Sequence, residues 1–188
     1  MGKVNKDLEL QKIANEIIKC EECKKDKFGL PVPGEGNPNA KVIFIGEAPG
    51  REESKKGKPF VGRAGKLLTQ LLTSIGINRE DVYITSPVKY YPGKRILKEE
   101  EILHGRKHLL KQIEVIKPKL FVLLGNVALK ALFPDENLKI SKIHGKVLSK
   151  NNSLFFLTFH PAAALRFPKI RKLIEKDFKK LKKIIARL

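Results

Sequence analysis

The sequence contains no tryptophan, one methionine and two cysteines in 188 residues. Two cysteines exclude a disulfide framework, so a packed core must hold the fold, and residues 1–188 are long enough to bury one as a single domain. No apolar run reaches the ~18 residues that a membrane-spanning helix needs. Met1–Asn15 lacks the apolar core of a signal peptide, so a cytoplasmic protein with no membrane partner is expected. Acid is the other scarcity: Asp and Glu number 20 against 39 Lys and Arg, a net charge of +19. A thermophile surface rich in both Lys and Glu would keep the signs in balance. The imbalance points instead to a polyanionic partner, nucleic acid first. The missing tryptophan and near-absence of methionine fit a hot habitat.

What is present reads as a globular α/β chain, with 41% hydrophobic residues. Leu10, Ile13, Ile17 and Ile18 recur at helical spacing over Leu8–Lys19, with Asp7 as the expected N-cap. Gly29–Asn39, rich in Gly, Pro and Asn, reads as loop. Strands are expected at Val42–Ile45, Val82–Val88, Leu120–Leu124, an unbroken apolar run, and Leu154–Thr158. Helices are expected over Gly62–Ile75, Lys98–Ile116, Asn126–Phe133 and Pro168–Leu188, with a turn at Tyr91-Pro92-Gly93. Strands alternating with helices argue for a parallel sheet covered on both faces. The last helix carries an apolar face through Ile170, Ile174, Phe178 and Leu181. Most of its other residues are basic, set against Glu175 and Asp177.

The chain is organised around Val42-Ile43-Phe44-Ile45-Gly46-Glu47-Ala48-Pro49-Gly50, a buried strand entering a glycine-bounded turn. In an open α/β sheet, ligands bind beyond the carboxyl ends of the strands. Acids and an aromatic on the loops that follow this strand are therefore placed for chemistry. Three blocks stand at such positions: Gly46–Gly50, then Gly57-Lys58-Pro59-Phe60-Val61-Gly62-Arg63-Ala64-Gly65, then His160-Pro161-Ala162-Ala163-Ala164-Leu165.

Together these blocks resemble the signature segments of the uracil-DNA glycosylase superfamily, closest to its thermostable iron–sulfur branch, family 4. The resemblance covers about Cys20 to Ala186. It implies a three-layer α/β/α sandwich with a central four-stranded, mostly parallel sheet. It also implies a monofunctional, base-excising enzyme, with DNA containing deaminated bases as partner and a monomer as the working unit. By resemblance, Phe60 stacks on a flipped uracil and His160 donates to the base as its bond breaks. Glu47 and Ala48 hold the base or the attacking water, and Glu53 positions that water or steadies the cationic sugar. Leu165, with Arg166, resembles a wedge that fills the vacated stack. Lys55, Lys56, Lys58 and Arg63 would meet phosphates.

The chain departs from that family at two places. Family 4 holds a 4Fe–4S cluster on four cysteines; Cys20 and Cys23 match two, while Tyr90 follows Lys89 at the third position and the fourth falls near Gly105. No cluster is expected, and Tyr90 is expected to fill its volume. The alternative is a Cys2His2 zinc set, with His104 and His108 at i, i+4 on a helix; two surface histidines are the commoner arrangement. The second departure is Ser86, where the family carries an Asn that pairs with the uracil edge. Hypoxanthine or xanthine therefore stands beside uracil as the base removed, and a DNA-binding relative without catalysis is the alternative class. The loop Gly93-Lys94-Arg95-Ile96-Leu97 has no histidine, which argues against covalent trapping.

Overall fold

The computed structural model describes residues 5–188. Met1–Val4, where the stretch read for a signal peptide begins, lie outside the described residues. Helix α1 (Lys6–Lys19) is capped by Asn5, whose side chain accepts from the Leu8 N–H at 3.2 Å. Asp7, the expected cap, sits instead in the first turn, where its charge meets the helix's positive end. α2 (Glu21–Lys24) follows and carries Cys23.

The stretch read as loop contains a two-residue strand, β1 (Glu35–Gly36). Gly36 has φ 131°, and a Cβ there would lie 2.0 Å from the Val82 carbonyl oxygen, so only glycine allows the pairing. β2 (Val42–Ile45) leads to α3 (Arg51–Lys56) and α4 (Arg63–Ser74). β3 (Tyr83–Thr85) is shorter than the expected Val82–Val88, because Pro87 has no N–H to give the ladder.

α5 (Glu99–Ile116) stops just before Pro118, and β4 (Leu120–Leu124) runs into α6 (Asn126–Leu132) and α7 (Ile140–Ile143). β5 (Val147–Lys150) and β6 (Ser153–Thr158) form a hairpin across Asn151 and Asn152, at φ 49° and 58°. Positive φ at both central residues is the two-residue turn that matches strand twist. α8 (Pro161–Arg166) and α9 (Pro168–Ile185) complete the chain.

The strand order is β1-β3-β2-β4-β6-β5. β3, β2, β4 and β6 are the four expected strands and pair in parallel; β1 and β5 extend the sheet to six with antiparallel edges. Val42, Phe44, Leu120, Val122 and Phe156 face α4 and α9 through Leu68, Leu72, Ile174, Phe178 and Leu181. Ile43, Ile45, Phe121, Leu123 and Leu157 face α5 and α6 through Ile102, Leu109, Ile116 and Leu129. The molecule is thus a three-layer α/β/α sandwich. Ile13, Ile17, Cys23 and Tyr90 form a separate small cluster beneath α1. Among the described residues, no helix is long and apolar enough to cross a membrane.

The chain leaves β2 to build β3 on one side and returns to build β4 on the other. That reversal opens a crevice at the carboxyl ends of the strands.

Candidate active site

A cavity of about 610 Å³ lies in that crevice, lined by Glu47, Ala48, Phe60, Ser86, His160 and Arg166 among others. Three parallel strands deliver its chemistry: β2 leads to Glu47 and Ala48, β3 to Ser86 and β6 to His160. Sequence order had separated these residues by more than a hundred positions; parallel register brings them to one edge.

His160 caps α8, its Nδ1 accepting the Ala162 N–H at 3.2 Å. With that lone pair committed, the neutral ring carries its proton on Nε2. Burial of the ring lowers the His160 pKa to about 4, so it is neutral at ordinary pH. The Phe60 ring lies 5.5 Å from the imidazole, centroid to centroid. Gly46 forms the floor beneath both: a Cβ there would come within 2.7 Å of the Phe60 ring and 3.6 Å of His160 Nε2.

Phe60 takes φ 50°, a left-handed backbone uncommon for an aromatic residue. Its surroundings enforce it. Glu53 Oε1 accepts the Val61 and Gly62 N–H groups at 2.9 and 2.8 Å. The Arg79 guanidinium donates to the Pro59 carbonyl at 2.6 Å. Gly65 lets the loop lie on α4, since a Cβ there would be 1.9 Å from the Phe60 carbonyl oxygen. Glu53 thus lines the cavity while holding the loop that carries Phe60. Glu47 has no such commitment. It sits at the exposed mouth, and the protein packed around its carboxyl raises its pKa.

Ser86 is buried and lines the cavity, and its hydroxyl donates to the Val88 carbonyl at 2.8 Å. The proton is spent inside the loop, which leaves Oγ an acceptor. Arg166 lines the cavity and Leu165 stands exposed beside it on α8. Arg63 is exposed at the start of α4, outside the cavity wall. Lys55 and Lys58 are already paired, with Glu52 at 3.0 Å and Glu35 at 3.1 Å. Sequence reasoning missed Arg51, Tyr91, Lys94 and Arg95 on the cavity wall. The basic run after Tyr91-Pro92-Gly93 was the available signal. Phe167, 56% exposed next to Leu165, was missed as well.

A second cluster lies apart from the cavity. Ligand atoms of Cys20, Cys23, His104 and His108 all fall within 4.8 Å of one another. Cys20 Sγ is 3.2 Å from His104 Nε2. The expectation of two surface histidines fails here: His108 is buried, and its Nδ1 has no hydrogen-bond partner among the described residues. Tyr90 does fill space beside the cysteines, 4% exposed against Ile13 and Ile17.

A four-thiolate cluster does not fit this set. The two cysteines are the only thiols, Tyr90 occupies the third position, and Gly105 has no room at the fourth. A Cβ on Gly105 would lie 2.2 Å from the Pro87 carbonyl oxygen.

Residues 33–188 match the family model described as "Uracil DNA glycosylase superfamily". The chain is 48% identical to the type-4 uracil-DNA glycosylase of Saccharolobus solfataricus, over 94% of this chain and 87% of that one. It is 39% identical to the type-4 uracil-DNA glycosylase of Thermotoga maritima, over 95% and 96% of the two chains. A stretch covering 82% of the chain is 36% identical to 17% of a DNA polymerase of Bacillus phage SP01. Similarity of this extent runs through every strand that feeds the cavity, and with it the chain belongs to the uracil-DNA glycosylase superfamily, in its type-4 branch.

Proposed function

We propose that the chain excises uracil from DNA by hydrolysing its N-glycosidic bond, leaving an abasic site. The observation that carries this reading is the pairing of the Phe60 ring with a neutral His160 whose Nε2–H is free to donate, over a glycine floor. A base flipped out of the stack lies against Phe60. The C1′–N bond breaks with its electron pair passing to the base, and negative charge collects on a ring carbonyl oxygen. His160 Nε2–H donates to that oxygen most strongly as the charge develops. A water oxygen bonds to C1′ and its proton passes to Glu47, whose raised pKa suits it to accept one. Glu53 acts through the Phe60 loop as a positioning residue.

Ser86 narrows the class of base. An acceptor Oγ pairs with a ring N–H, which uracil, hypoxanthine and xanthine present at their Watson–Crick edge. Cytosine and adenine present a bare ring nitrogen there, and two acceptors repel. This contact therefore favours bases with a ring N–H, uracil among them, over cytosine and adenine, and discriminates weakly among the bases that carry one.

The test is a panel of oligonucleotides carrying uracil, hypoxanthine, xanthine or cytosine, incubated with wild type and Ser86→Asn and cleaved with alkali at abasic sites. Wild type is expected to act on uracil and leave cytosine intact. Ser86→Asn should raise uracil excision by about ten- to a hundredfold, since a bidentate contact is worth ~1–3 kcal/mol. No cleavage of any base would leave a DNA-binding relative. Loss on a purine base with no gain on uracil would make that purine the substrate.

A further inference from the structure

The C-x2-C pair sits at the start of α2, and His104 and His108 project from one face of α5, the helix on which α2 packs. We propose that Cys20, Cys23, His104 and His108 hold one tetrahedral zinc ion in place of a four-iron cluster.

The donor set comes first. Two thiolates and two imidazoles are a closed structural zinc set, and two thiolates neutralise one divalent ion. Iron–sulfur cubanes require four thiolates, and this chain has two. Size comes second. With Zn–S at about 2.3 Å and Zn–N at about 2.0–2.1 Å, ligand atoms round one tetrahedral ion stand roughly 3.3–3.8 Å apart. The four ligand atoms lie within 4.8 Å of one another, with Cys20 Sγ and His104 Nε2 at 3.2 Å, so a small inward closure completes the shell. A two- or four-iron cluster puts several metal atoms between its ligands and needs a wider cage than this, and Tyr90 and Gly105 close off the additional space.

The third observation is independent of both. His108 is 9% exposed, and its Nδ1 is buried with no hydrogen-bond partner among the described residues. A buried nitrogen without a partner is costly in a core, and a metal ion bound at that nitrogen removes the cost. All four protein ligands would be taken, with no open position for substrate. The ion's role is therefore to pin the α1–α2 segment to α5, with none of its four ligands on the cavity wall.

The test reads metal and not excision, so it stands whatever the enzyme proves to cleave. Full-length protein purified without added metal should contain about one zinc per chain and no stoichiometric iron or acid-labile sulfide. Titration with a mercurial thiol reagent should release that zinc as two thiols are modified. Exchange for cobalt(II) should give the intense visible d–d bands of a tetrahedral thiolate site. His108→Ala should lose most of the zinc, and His108→Cys should keep it. Stripping zinc from the wild type should lower the unfolding midpoint by roughly 10 °C, as expected for a domain of this size and a ligand held at about a thousand times its dissociation constant. Zinc and not magnesium should restore it. Iron with labile sulfide would overturn the proposal. So would metal-free protein whose Cys20 and Cys23 are open to reagent or joined as a disulfide. The wild-type measurements decide the matter even if a variant fails to fold.

Discussion

The imidazole of His160 accepts one backbone N–H at Nδ1 and so has one proton to offer, at Nε2. His160→Ala is expected to lower excision by about 10²–10³-fold, the cost of removing one donor to a developing oxyanion. DNA affinity, measured by fluorescence anisotropy, should change little, because the contact strengthens only in the transition state. Equal losses in binding and turnover would make the residue structural. The two titrating groups of the site also separate by pH. His160 is neutral above about pH 4, so it gives no limb near the ordinary histidine value. Glu47 must be ionised to accept a proton, and the protein packed around it raises its pKa, so activity falls with falling pH on a limb displaced upward from the ordinary carboxylate range. The limb should disappear in Glu47→Gln. The place of His160 on the cavity wall was expected from the resemblance carried by the Pro-Ala-Ala-Ala-Leu that follows it. Its tautomer was not, because that depends on a helix N-terminus which six residues in a row, Pro161–Arg166, did not announce.

At the level of elements, the loop carrying Phe60 is held from three sides, by Glu53, Arg79 and the bare backbone of Gly65. One oxygen of Glu53 takes both N–H groups. Glu53→Gln can present the same carbonyl acceptor, whereas Glu53→Ala cannot. Gln is therefore expected to retain excision within about tenfold, and Ala to lose about a further tenfold or more, in step with a hydrogen bond to a charged group. Matching losses in Gln and Ala would assign Glu53 to the cationic sugar instead. The four parallel strands were legible because strands buried on both faces read as unbroken apolar runs. The edge strands were not: β1 is two residues long, and β5 is largely exposed, with Asn151-Asn152 the one turn signal. Asp177 was read with the basic outer side of α9. It is buried, 1% exposed, accepting from the Thr158 hydroxyl at 2.8 Å and facing His144 Nδ1 at 3.0 Å. Helical spacing allowed either side, and only the partner on β6 decides it.

Across the whole molecule the excess of 39 basic over 20 acidic residues acts as one field. With ~5 phosphate contacts, log K for DNA should fall against log salt with a slope of about −4 to −5, and a flat response would contradict a phosphate-binding face. The parallel register that gathers the cavity at one edge of the sheet leaves two lysine contacts at the other. Lys6 Nζ donates to the Ile116 carbonyl at 3.0 Å, and Lys119 Nζ to the Leu188 carbonyl at 3.4 Å. Both contacts lie at the turn entering β4, on the edge opposite the cavity. A bulky label carried on Lys6 or Lys119 would therefore sit on that opposite edge and leave the cavity mouth open.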